Sequence, residues 1–164
     1  MPDPVPFTSI SCVSPGGEEL PRLIARAEES IGAGIMLDST SFPVWANELR
    51  GYRAWKARNL KEAERLWSES KPLFWRTGSL WRGDLYREMG RLDEAEAWYR
   101  TAWISPLAHE RLGRLYEKMD RPEDAIDAYE RFIEVWRDAD PELQSRVKKA
   151  RRQVEVLREK RAAE

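Results

Sequence analysis

Few residues here are able to carry acid–base or nucleophilic chemistry. His109 is the only imidazole and Cys12 the only thiol in 164 residues. A general base needs a positioned partner and a nucleophile within reach. His109 lies on a helical stretch at a place suited to packing, and a packing role is expected for it. A catalytic thiol needs a neighbouring base or a helix N-terminus. Neither flanks Cys12, which stands among prolines and glycines. One histidine and one cysteine cannot build a zinc site, and a lone cysteine cannot close an internal disulfide, which points to a reducing compartment.

Charged clusters are the next candidates. Glu62/Glu64, Asp93/Glu94/Glu96 and Glu123/Asp124 look at first like paired carboxylates for acid–base work. They recur at the start of successive helical segments, where acids complement the helix macrodipole. A capping role is therefore expected. Near the C-terminus stand Arg146, Lys148, Lys149, Arg151, Arg152, Arg158, Lys160 and Arg161, a pattern that would suit nucleic acid or anionic lipid. Glu155 and Glu159 dilute it, and a solvated helix face is expected instead. No Gly-rich phosphate loop and no metal-ligand spacing occurs in the sequence. These absences point to a non-enzymatic chain without a cofactor or metal.

The elements follow from periodicity. Net charge is −1, so no global pull toward nucleic acid or anionic membrane exists. Eight Trp, five Tyr and four Phe supply bulky apolar surface for a core. No stretch approaches the roughly 18 apolar residues of a membrane span, and a cytoplasmic location is expected. Residues 1–17, rich in Pro and Gly, read as a flexible leader. Residues 18–43 hold a helix with Leu20, Leu23, Ile24, Ala27 and Ile31 on one face, then a break at Ser39–Pro43. From Val44 onward helix follows helix, with no strand signal. Residues 141–164 form a last long helix whose apolar stripe is Leu143, Val147, Ala150, Val154 and Leu157. That stripe suits a cap on the array or a seam between two chains.

The chain repeats itself. Gly51, Gly83 and Gly113 each precede an alanine by twelve residues (Ala63, Ala95, Ala125) and an aromatic by sixteen (Trp67, Tyr99, Tyr129). Tyr86 and Tyr116 follow the second and third glycines by three. Close helix packing needs small residues, so the glycine of each first helix is expected to face the alanine of the second, with aromatics filling the remaining gaps. Trp67, Trp98, Trp103 and Trp136 are then expected in the core.

In these features the sequence resembles the tetratricopeptide repeat family. Leu112, Gly113, Tyr116, Ala125 and Tyr129 carry the resemblance in one unit, and Gly83, Tyr86, Gly90, Ala95, Tyr99 and Ala102 in another. The first unit departs more, with Ala54 where Tyr is usual and Ser70 where Ala is. Arg50 and Arg82 stand where Leu is usual. The resemblance implies an all-α, right-handed α-solenoid of three helix-turn-helix units, about 44–75, 76–105 and 106–140, flanked by capping helices. The last third also resembles repeat tails of bacterial signalling proteins, including serine/threonine kinases.

The resemblance further implies a protein-binding scaffold whose first helices line a concave groove. Carried over by position, the groove presents Trp45, Glu48, Tyr52 and Trp55 in the first unit. Thr77, Leu80, Asp84 and Arg87 follow in the second, and Leu107, Glu110, Arg114 and Glu117 in the third. An aromatic anchor with mixed charges suits a peptide or helix of another protein. The alternative is that the aromatics are covered by the 18–31 helix. Some relatives clamp a chaperone's C-terminal carboxylate. Arg111 suits one clamp position, but Leu107 and Tyr52 replace others, so that ligand is not expected. The competing function is a structural or self-association module, the tail of a larger signalling protein, pairing as a homodimer through the C-terminal helix.

Overall fold

The computed structural model describes residues 42–70 and 75–163, and the leader and the 18–31 helix lie outside them. The described residues form helices throughout: α1 (Phe42–Lys56), α2 (Leu60–Ser68), α3 (Trp75–Glu88), α4 (Leu92–Thr101), α5 (Pro106–Lys118), α6 (Pro122–Val135) and α7 (Pro141–Ala162). The first helix begins at Phe42 and runs over Pro43, where the sequence suggests a break. Proline is tolerated there because the first turn of a helix has no acceptor for its missing N–H.

Helices pair as hairpins, α1 with α2, α3 with α4 and α5 with α6, and each hairpin packs on the next. The array is an all-α helical-repeat solenoid. Its three turns have one design. Arg58, Gly90 and Asp120 occupy the same place in each unit and have φ of 64°, 77° and 54°. The following amide, of Asn59, Arg91 or Arg121, donates at 2.9 Å to the carbonyl of Ala54, Tyr86 or Tyr116. Only the first unit adds a side-chain cap, where Asn59 Oδ1 accepts from the Glu62 amide. The acidic residues Glu62, Asp93/Glu94 and Glu123/Asp124 do lie in the first turns of α2, α4 and α6.

The left-handed turn residue gives a test. Of the three, only Gly90 adopts this backbone without a Cβ penalty, and a Cβ there would meet nothing. Gly90→Ala should therefore cost about 1 kcal/mol through conformation alone. Arg58→Gly should stabilise by a similar amount, since the exposed Arg58–Glu88 pair it removes contributes little. Urea unfolding of the two variants measures both signs.

The glycines pack differently from the expectation. A Cβ on Gly51 would lie 2.3 Å from Trp67 Nε1, one on Gly83 2.3 Å from Tyr99 Cε1, and one on Gly113 2.6 Å from Tyr129 Cε1. Each glycine faces the aromatic of the second helix, not its alanine. Ala63, Ala95 and Ala125 are themselves fully buried. The ring is the bulkier group, so it is the ring that needs the empty place. Trp103 is a second correction. Helix α4 ends at Thr101, so Trp103 falls in the connection and is 64% exposed. Trp67 is buried, and Trp98 and Trp136 are half-buried.

The last helix packs on α6. Val147, Ala150, Val154 and Leu157 are buried in the same core as Phe132 and Tyr129, and the Arg146 guanidinium lies 5.4 Å from the Trp136 ring centroid. Most of the apolar stripe, Val147 to Leu157, is thus buried within the chain, and Leu143 is half-buried.

Candidate docking face

The stacked hairpins place α1, α3, α5 and α7 in sequence, and polar side chains bridge each to the next. Between α1 and α3, Trp55 Nε1 donates to Glu88 Oε2 at 3.2 Å. Between α3 and α5, Arg111 Nε donates to Asp84 Oδ2 at 3.0 Å. Between α5 and α7, Arg146 pairs with Glu110, and Gln153 Nε2 donates to Glu117 Oε2 at 2.5 Å. The second helices carry their own ladder, in which Arg91 reaches Glu64 and Arg121 reaches Glu96.

Two buried carboxylates anchor the first ladder, at equivalent places in the first and third units. Glu48 is 2% exposed and takes a bidentate hydrogen bond from Arg82, both contacts 2.8 Å. Arg82 is 1% exposed and also donates at 3.2 Å to the carbonyls of Gly78, Trp67 and Ser70. The Trp67 and Ser70 carbonyls lie at the C-terminal end of α2, where backbone acceptors lack helical partners and a cation is favoured. The guanidinium carbon stands 5.3 Å and 5.4 Å from the rings of Trp67 and Trp98. Glu110 plays the corresponding part for Arg114 and Arg146, so α7 holds the third unit much as α3 holds the first.

Of the groove residues expected from sequence, Tyr52 is 1% exposed, its ring 4.3 Å from that of Trp81. The second hairpin covers it. Glu48 and Leu80 are buried as well. Asp84 lies under the surface, accepting from the Tyr99 hydroxyl at 2.7 Å and from Arg111. Trp55 is half-buried beside Tyr52 and Trp67. Arg87, Arg114 and Glu117 reach the surface, and Leu107 is half-buried. The side chains of Trp45 and Thr77 lie outside those described. Sequence reasoning missed Arg82 as a site-building residue. The signal was an arginine in an apolar place, one unit after a glutamate in another.

The result is a layered electrostatic surface. Carboxylates lie beneath and guanidinium groups above: the Arg114 side chain is 54% exposed against 6% for its partner Glu110. Arg87 and Arg146 are likewise more open than the acids they pair with. A shallow cleft between α5 and α7 is lined by Glu110, Arg114, Glu117, Tyr129, Arg146 and Lys149. The tyrosines below stay protonated donors. Burial, then the Asp84 charge, pushes Tyr99 far up, and burial with the Glu117 bond does the same to Tyr129. Tyr116, on the other ladder, is pushed up to about 12 by burial and its bond to Glu96. His109 is half-buried and its pKa is lowered by desolvation, with Arg131 adding to the effect. It hydrogen-bonds to the Trp103 backbone, and among the described residues no carboxylate pairs with it. No group of three or more metal-ligating side chains occurs among the described residues.

The sequence profile of the tetratricopeptide repeat matches residues 79–102, and a second profile of that description matches 108–140. Residues 79–102 and 108–140 are tetratricopeptide repeats. No curated relative and no solved structure matches it. The two matched tetratricopeptide units are those built on Gly83 and Gly113. The unit at Gly51 lies outside both matches and shares their turn and their glycine–aromatic contact. Tetratricopeptide arrays generally mediate protein–protein interaction. No described helix is long and apolar enough to cross a membrane.

Proposed function

We propose that this array docks a peptide segment of another protein along the face formed by α1, α3, α5 and α7, and that the segment is rich in carboxylates. The layering of charge carries the reading. Arg87, Arg114 and Arg146 reach solvent as donors while the acids they pair with lie deeper, and Lys149 is exposed beside them. An arriving carboxylate meets preoriented guanidinium groups and need not displace the buried partner. Trp55, half-buried at the α1 end, adds apolar surface.

Selection from a random peptide library tests it. The intact chain should enrich Asp- and Glu-rich sequences. Arg87→Glu/Arg114→Glu should weaken the selected peptides at least about tenfold, mainly through faster dissociation, since buried acids lose their cover and the ligand meets repulsion. Equal affinity for both proteins, or no acidic enrichment, contradicts the proposal.

A further inference from the structure

The face of α7 that looks away from the array has a charge order of its own. Val147, Ala150, Val154 and Leu157 point into the core. Opposite them, at helical spacings of four, three and four, stand Lys148, Arg152, Glu155 and Glu159, all exposed. Arg146, Arg158 and Arg161 turn back to pair with Glu110, Glu130 and Glu123. The four outward residues pair with no described residue. Along the helix they read positive, positive, negative, negative.

We propose that this outer stripe of α7 is a docking surface for the α7 of a second copy, laid antiparallel about a two-fold axis. In that arrangement Lys148 meets Glu159 of the second copy and Arg152 meets Glu155 of the second copy, and the symmetry repeats both pairs. Parallel alignment sets like charge on like. Val156, 48% exposed, lies beside the crossing, where the aliphatic stem of an arginine covers it. The stripe has no net charge, so a polyanion lying along it meets Glu155 and Glu159. It lacks the bulky apolar side chains that seat a helix in a membrane. Exposed pairs are individually weak, so the association is weak and sensitive to salt.

Sedimentation and light scattering from micromolar to millimolar concentration test this on the whole chain. At low ionic strength a monomer–dimer equilibrium is expected, weakening in half-molar salt. Lys148→Glu/Arg152→Glu and Glu155→Lys/Glu159→Lys should each weaken it by about tenfold or more, mixing the two variants should restore a dimer, and the fourfold swap should restore it in one chain. All substitutions are on the solvent side, and helical circular dichroism should be unchanged. A chain that stays monomeric at millimolar concentration overturns the proposal. So does a dimer indifferent to both reversals, or a monomer whose Lys148→Glu/Arg152→Glu variant instead loses affinity for duplex DNA.

Discussion

Replacing Arg82 with leucine should lower the free energy of unfolding by about 3–5 kcal/mol, a large share of the stability of a domain this size. Leucine is the residue this place takes in the third unit, where Leu112 is buried, so apolar character is not the difficulty. The cost comes from what remains. Glu48, 2% exposed, loses its bidentate partner, and the Trp67 and Ser70 carbonyls lose a donor. Glu48→Leu alone should cost a similar amount, by leaving a buried guanidinium unpaired. Glu48→Leu/Arg82→Leu should recover part of the sum, because neither charge is then stranded, though the α2 carbonyls still lack their donor. A double-mutant cycle in urea measures the coupling. Strict additivity would show that the pair does not join α1 to α3 as described.

Gly83→Ala should destabilise by about 1–3 kcal/mol, even though alanine is the better helix former by about 1 kcal/mol. The new Cβ falls 2.3 Å from Tyr99 Cε1 and 2.4 Å from Cδ1. Tyr99 is fully buried and its hydroxyl is tied to Asp84 at 2.7 Å, so the ring cannot swing aside without breaking that bond. Gly113→Ala should cost less, because the contact is 2.6 Å and the Tyr129 hydroxyl is bound to half-buried Glu117. Thermal melts should rank the variants with Gly83→Ala the lower, by a few degrees per kcal/mol. A stabilised Gly83→Ala would contradict the glycine–ring packing.

What the sequence made legible was whatever repeats. Close approach of helices demands a missing side chain, and that demand wrote Gly51, Gly83 and Gly113 in register. The helix-starting acids were legible for the same reason, since every second helix has the same unsatisfied amides. What the glycines face was not legible, because Ala and aromatic both recur at fixed distance and only packing tells which is opposite. Trp103 was misplaced into the core because α4 ends two residues before it, and the sequence marks that end with no glycine. Arg82 and Glu48 were hidden because burial of a charge depends on a partner 34 residues away, which no local pattern records. The same limit hid which groove residues reach solvent. Tyr52 and Arg114 hold the same place, one residue after the glycine of their units, yet the second hairpin covers Tyr52 while Arg114, followed only by α7, stays exposed.

A partner docked on the face of α1, α3, α5 and α7 changes the surroundings of the backbone amides there. Backbone amide shifts recorded while titrating in a selected acidic peptide test this most directly. The perturbed residues should gather around Trp55, Arg87, Arg111, Arg114, Glu117 and Lys149. Perturbations confined to α2, α4 and α6, around Ala97, Trp98, Asp127 and Glu130, would contradict it.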